Sequence, residues 1–136
     1  MSDVFGIEKR REIMRAIRGK DTQPELAVRS LAHRLGFRFR LHRKDLPGKP
    51  DLVFPRLHKV IFVHGCFWHS HSCRRGRSTP TTNAKFWKAK RESNAVRDCR
   101  NLRALRRFGW KVLVVWECQI YKLGPLEKRL TTFLAK

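Results

Sequence analysis

Acidic residues are scarce in this chain. Its 136 residues hold 11 Asp+Glu against 32 Lys+Arg, a formal net charge of +21 and a pI near 11.3. Such an excess repels itself unless a polyanion is close, and every phosphate neutralised releases condensed counterions. Nucleic acid is therefore the partner class the balance favours. A basic ribosomal or packaging protein with no chemistry meets the same balance. Anionic membrane is a poorer match, because the basic residues are spread along the chain rather than collected beside an apolar segment. Long apolar runs are also missing. None approaches the roughly eighteen residues of a membrane span. Met1 to Gly6 lacks the basic-then-apolar order of a secretory leader, so a reducing cytoplasm is the expected compartment. Cysteines number four, and in that compartment they read as thiols or metal ligands rather than disulfides. There is no internal repeat and no low-complexity tract. The length suits one domain, 1–136, around one core.

Helix and strand signals follow in order. Met14 and Ile17 suggest a short first helix that ends near Gly19. Asp21-Thr22-Gln23-Pro24-Glu25 is a helix start, with Thr22 and Glu25 at capping-box spacing and Pro24 in the first turn. Val28, Leu31 and Leu35 then share a face up to Gly36. Phe37–Leu41 alternates as a half-exposed strand, and Leu46 to Pro50 is a turn. Asp51 heads the short apolar strand Leu52–Phe54. Pro55–His58 turns the chain into a buried strand, Lys59–His64. Arg74–Thr82 reads as a basic loop. A long basic helix is expected from Asn83 to Phe108, closed by Gly109. Trp110–Trp116 is the most apolar strand and is expected to be central, and Pro125–Leu134 is a terminal helix. This order implies an α/β sandwich around a small mixed sheet.

The stretch Val63 to Cys73 concentrates the chemistry. Its eleven residues contain two cysteines, three histidines and the pair Phe67-Trp68. Cys66, His71 and Cys73 are ligand types suited to tetrahedral zinc. Cys118, just past the last strand, is the fourth candidate, provided that strand lies beside Lys59–His64. Four such ligands leave no open position, so this zinc would be structural. Ordinary cytosolic thiols with a coincidental histidine are the alternative. Cys99 is read as a small core residue of the long helix.

Counting back through the Pro55–His58 turn pairs Phe54 with Lys59 and sets Asp51 opposite Phe62 and close to Val63. A hard cation such as magnesium can then take the Asp51 carboxylate and the Val63 main-chain carbonyl, and bridge to a substrate phosphate. His64 and His69 flank this point as proton-transfer candidates. Glu25 and Asp98 are further candidates. Plainer roles stand beside each: a turn aspartate after Pro50, a helix cap at Glu25, a helix-surface charge at Asp98.

Aromatics next to Arg and Lys make a surface that stacks on bases or wedges between them. Phe67 and Trp68 are expected at the surface. Of the pair Phe86-Trp87, neighbours about 100° apart on a helix, Phe86 is expected in the core. The long helix offers a phosphate-tracking basic face, with Val96, Cys99, Leu102 and Leu105 as its apolar stripe.

With these residues in view, the chain resembles the very short patch repair (Vsr) endonuclease family. The resemblance rests on Met14-Arg15-Ala16-Ile17, on Asp21-Thr22 with Glu25, and on Leu46-Pro47-Gly48 with Pro50-Asp51. It extends through the motif at 60–73 to Phe86-Trp87, Arg97-Asp98 and the run from Gly109 to Cys118. It implies a restriction-endonuclease-like fold with a structural zinc. It also implies a magnesium-dependent endodeoxyribonuclease that nicks one DNA strand 5′ to the thymine of a T·G mismatch left by deamination of 5-methylcytosine. By the resemblance, Asp51 is the catalytic aspartate and His69 assists proton transfer. His64, Glu25 and Asp98 complete the site, and Cys66, His71, Cys73 and Cys118 hold zinc. Phe67, Trp68 and Trp87 intercalate, while Met14, Lys90 and Asn94 contact the mismatch. The N-terminal arm, 1–20, is expected to touch DNA. A monomer in a bacterial nucleoid, a mismatch-repair matchmaker protein and a neighbouring cytosine methyltransferase are the associated expectations. The rival functions are a restriction-type nuclease that cuts intact duplex and a non-catalytic zinc-dependent DNA-binding protein.

Overall fold

The structure, a computed structural model, describes residues 22–41, 43–66, 71–73 and 82–135. The expected first helix and N-terminal arm, Met14, Phe67, Trp68, His69 and most of the basic loop from Arg74 lie outside the described residues. Thr22 caps helix α1, Gln23–Arg34, by accepting the Glu25 N–H on its hydroxyl at 3.4 Å. Pro24 sits in the first turn, where its missing N–H costs nothing. Val28, Leu31 and Ala32 carry one face into the core, and the helix ends ahead of Gly36, whose φ is 89°.

Strand β1 is only Arg40–Leu41, shorter than the expected Phe37–Leu41. A strand pairs no further than its neighbour allows, and β2 spans just Leu52–Phe54. Phe37 and Phe39 pack against the core from outside the ladder, Phe39 edge-on to Phe54 at 5.8 Å. The Pro55–His58 turn returns the chain antiparallel as β3, Lys59–His64. Phe54 faces Lys59 and Leu52 faces Ile61, the register counted from the sequence. Helix α2, Ala84–Arg107, leads to β4, Lys111–Trp116, which runs parallel to β3 with Trp116 opposite His64. A 3₁₀ turn, Glu117–Tyr121, and helix α3, Leu123–Leu134, complete the chain. The result is a mixed sheet in the order β1-β2-β3-β4 with helices against it, an α/β architecture.

Four further expectations differ from the structure. Strand β4 is not central; among the described residues it ends the sheet and β3 takes the interior place. Its apolar character comes from cover on both faces. Leu113 and Val115 join Leu126, Leu130 and Leu134 of α3, while Val112 and Val114 join Leu105 of α2 and Phe62. The stripe Val96-Cys99-Leu102-Leu105 is not one face either. Steps of three residues drift about 60° each, so Val96 and Leu105 stand half a turn apart. Val96 and Cys99 are exposed and Leu105 is buried. Phe86 is exposed (58%) rather than in the core. A 24-residue helix runs ~36 Å, and a six-residue strand covers only ~20 Å. The first turns of α2 therefore have no strand beneath them. At its other end, α3 begins at Leu123, two residues earlier than expected.

Lys59 is buried (2%), yet its ammonium is satisfied. It donates to the Phe133 carbonyl at 2.5 Å and the Leu134 carbonyl at 3.5 Å. A cation thus meets the negative end of α3 and ties the first residue of β3 to the last turn of the chain.

Candidate active site and metal centre

Asp51 lies immediately before β2, at the level of Phe62 on the neighbouring strand. Its Oδ2 accepts the Val63 N–H at 2.6 Å. Burial pushes the Asp51 carboxyl up to about 7; the Val63 N–H and the Arg29 charge pull it down, and the Glu25 carboxyl adds to the rise by charge and by a side-chain hydrogen bond. Glu25 is therefore more than a cap residue. Its side chain is buried beside Asp51, and its Oε2 accepts from Arg29 Nη2 at 3.0 Å. Two carboxyls and one guanidinium share a poorly solvated corner between α1 and the β2–β3 hairpin.

Asp51 opens into a cleft of about 460 Å³, shared with Val63, His64, Asp98, Arg97 and Asn101. Lys44 and Lys49 add cations from the turn before β2. Two carboxylates, an imidazole and three cations around one depression suit a phosphate ester next to a hard cation. The fit can be tested on the donors themselves. A carboxyl held beside another carboxyl at the cost of a raised pKa is an oxygen-donor site that a divalent cation would relieve.

The structure brings Asp51, Val63, His64 and Asp98 together in this cleft and places Glu25 behind Asp51. Lys90, Asn94 and Trp87 do not line it. They lie toward the first half of α2, with Lys90 exposed, Asn94 buried with its Oδ1 accepting from Arg97 at 2.6 Å, and Trp87 half-buried edge-on to Phe86 at 5.1 Å. Arg29, Asn101, Lys44 and Lys49 carry no role in the reading of the sequence, and Arg97 enters it only as part of the basic face of the long helix and of the Arg97-Asp98 motif. Arg29 had a signal, since it stands four residues after Glu25. That spacing reads as an ordinary surface pair until the fold buries it.

The second centre lies just past the end of β3. The ligand atoms of Cys66, His71, Cys73 and Cys118 all fall within 4.8 Å of one another. Parallel pairing of β3 with β4 puts both strand ends on one side, so the residues that follow, Cys66 and Cys118, meet. The Cys118 N–H donates to Cys66 Sγ at 3.4 Å, and Cys118 Sγ lies 3.6 Å from His71 Nδ1. The His71 N–H closes a turn on the Cys66 carbonyl at 3.0 Å. The His71 ring stacks on Trp116 at 4.2 Å, and Trp116 meets the His64 ring edge-on at 5.2 Å. One indole thus joins this cluster to the cleft. Burial pushes the Cys66 thiol up to about 12, with Cys73 and Cys118 adding to the rise against the Cys118 N–H. A divalent ion among the four would reverse that by favouring thiolate. Cys99 is exposed and takes no part in the cluster.

The model of the family "DNA mismatch endonuclease Vsr" matches residues 2–75. The chain is 53% identical over 134 residues to a type II nicking enzyme, V.XorIIP, of Xanthomonas oryzae pv. oryzae, covering 98% of both chains. It is 42% identical over 130 residues to the type II nicking enzyme V.NmeAIP of Neisseria meningitidis, covering 96% of this chain and 92% of the relative. It is also 42% identical over 120 residues to the DNA mismatch endonuclease Vsr of Escherichia coli K12, covering 88% and 76%. A carboxylate cleft and a cysteine–histidine cluster joined through Trp116, in a chain with these relatives, place this protein in the Vsr family of DNA mismatch endonucleases.

Proposed function

We propose that this protein is a divalent-metal-dependent endodeoxyribonuclease that nicks one strand of duplex DNA 5′ to the thymine of a T·G mismatch, and so begins very short patch repair. One observation carries the chemistry: Asp51, pinned by the Val63 N–H, shares a cleft with His64 and Asp98, and Glu25 stands beside it. The mismatch preference rests on the relatives, of which the Escherichia coli protein is named a mismatch endonuclease and others are named nicking enzymes.

Asp51, with the Val63 carbonyl, is the seat for magnesium, and Glu25 is within reach of the same site. The bound cation supplies Lewis-acid polarisation of the scissile phosphodiester. The residues do the rest. Asp51 and Glu25 concentrate negative charge in a poorly solvated corner, and Arg29 offsets part of it. His64, with its ring in the cleft, and His69 exchange protons with the attacking and leaving oxygens. Asp98 lines the same cleft as His64, from α2. Cys66, His71, Cys73 and Cys118 hold a structural zinc that staples the strand ends beside this chemistry. Phe67, Trp68 and Trp87 enter the base stack, Met14, Lys90 and Asn94 meet the mispair, and the 1–20 arm touches DNA. The fold is restriction-endonuclease-like and forms a single domain over 1–136. The protein acts as a monomer on the cytoplasmic nucleoid, with a mismatch-repair matchmaker as its protein partner.

The test is a nicking assay in magnesium on T·G and T·A duplexes of one sequence, in several flanking contexts. Nicking confined to the thymine strand of T·G duplexes is the expected result. Equal cutting of T·A duplex would make it a restriction-type nuclease. Salt-sensitive binding without any nick would make it a DNA-binding protein only.

A further inference from the structure

Lys49 has a left-handed backbone, with φ of 51°, directly after Gly48 at 76° and directly before Pro50. Gly48 has a steric reason to be glycine. A Cβ there would meet the Asn101 side chain at 3.0 Å and the Phe62 ring at 3.1 Å, so the turn is pressed against α2 and β3. Lys49 has no such reason. An L-residue in this region brings its Cβ against the following carbonyl, and a following proline narrows its options further. Packing does not offset that strain. Lys49 is exposed, and no described residue holds its ammonium by hydrogen bond or ion pair. Its backbone N–H merely closes the turn on the Leu46 carbonyl at 3.1 Å. What the conformation does achieve is placement. Lys49 lines the cleft of Asp51, with Lys44 on the same turn and Arg97 across from it. Strained non-glycine residues persist where the side chain is put to use.

We propose that Lys49 forms a phosphate-binding subsite at the mouth of the Asp51 cleft, where it grips a backbone phosphate next to the one being cut. The proposal rests on the nuclease reading above. Two residues of chain, at most ~7 Å, lead from Lys49 to Asp51. A lysine stem therefore reaches the adjoining phosphate while Asp51 attends the scissile one. The carboxylate floor of Asp51 and Asp98 turns phosphates away unless cations at the rim offset it. Lys49 is the rim cation whose backbone is strained to put it there.

The experiment compares Lys49→Gly, Lys49→Gln and Lys49→Arg with the parent on a T·G duplex, measuring Tm, affinity over a salt series, and nicking in magnesium. Lys49→Gly relieves the backbone, so its Tm stays level or rises. Its affinity falls about 3- to 10-fold, and the slope of log affinity against log salt flattens by about 0.9, the signature of one lost phosphate. Lys49→Gln shows the same flattening without any change of backbone freedom, and Lys49→Arg keeps the parent slope. Nicking by the glycine and glutamine variants falls at DNA concentrations below saturation. A purely structural lysine predicts the reverse pattern, with Tm altered and slope untouched. If the parent nicks T·G duplex while the glycine and glutamine variants keep its affinity and slope, the subsite is overturned and the nuclease stands. If the parent binds but never nicks, the nuclease reading falls, and a flattened slope still marks Lys49 as a phosphate contact.

Discussion

The Val63 amide donates to Asp51 Oδ2 at 2.6 Å across the β2–β3 hairpin, so the strand that leads to the cysteine–histidine cluster also orients the carboxyl of the cleft. Asp51→Asn keeps the shape and an acceptor for that N–H but removes the charge. Nicking is expected to fall at least ~10³-fold, while T·G duplex binding changes less than about tenfold. Quantitative nicking and a binding titration on the same duplex decide it. An Asn variant with parental nicking removes Asp51 from the chemistry.

The raised Asp51 carboxyl also predicts how stability depends on pH. Its folded pKa, about 7, lies above the ordinary 3.8, so the folded state holds a proton that the unfolded state has released. The resulting contribution is complete below about pH 4 and disappears as pH rises through 7. Relative to Asp51→Asn, the metal-free parent should lose up to about 4 kcal/mol across that window. Denaturant melts at pH 4.5, 6 and 8 measure it. Parallel curves for parent and variant would show that the carboxyl is not perturbed. Added magnesium should return stability to the parent at pH 8 and not to the variant, since an ion that binds only the folded state stabilises it.

On the proposed zinc assignment, metal loss should be selective among the four cysteines. Cys73→Ser and Cys118→Ser each remove one ligand from a cluster whose atoms all lie within 4.8 Å, so metal content should fall well below one per chain and Tm should drop sharply. Cys99→Ser alters an exposed side chain outside the cluster and should change stability by less than about 0.5 kcal/mol. Elemental analysis beside thermal melts reads both. One zinc per chain in all three variants would contradict the assignment.

The parts of the site that were legible in the sequence are those set by local ladders. The register Phe54 to Lys59 follows from a four-residue turn, and it places Asp51 at Phe62 without knowledge of the rest. Cys66 and Cys118 follow from one further step, the parallel pairing of two strands with equal lengths. Long-range cover was not legible. An apolar strand reads the same whether its edges or only its faces are buried, so β4 was misplaced. The inward face of α2 carries buried Asn94, then Asp98 and Asn101, before it reaches Leu105, because Asp98 and Asn101 look onto the cleft. A search for apolar periodicity is drawn away from such a face, toward Val96 and Cys99. Lys49 was hidden for a different reason: its significance is a backbone angle, and lysine gives no sign of one.

The core offers a prediction that is independent of any ligand. Phe54 is 1% exposed and packs edge-on to Phe39, with Leu52 and Ile61 in the same cluster. Phe54→Ala removes a ring from the layer between β2 and the α1/α3 side of the sheet. A cost of about 3–5 kcal/mol is expected, visible as a lower denaturant midpoint with an unchanged slope. Exposed Phe86, by contrast, should tolerate alanine within about 0.5 kcal/mol. If both variants proved neutral, the burial assigned to the β2 face would be wrong.

Arg29 gives the most direct test of how the carboxyl pair is tuned. Its Nη2 lies 3.0 Å from Glu25 Oε2, and its charge also lowers the pKa of Asp51. Arg29→Met keeps most of the stem volume and removes the cation. The two neighbouring carboxyls then lose their counter-charge, so Asp51 should hold its proton to a higher pH than in the parent. The acid limb of the nicking profile should move upward, with its alkaline side little changed. Removing one member of this partly buried pair should also cost about 3 kcal/mol near neutral pH. Lysine at this position restores charge but not the fork geometry, so Arg29→Lys should recover most of the profile and only part of the stability. A methionine variant whose acid limb stays in place would mean that Arg29 braces α1 without governing the ionisation of the site.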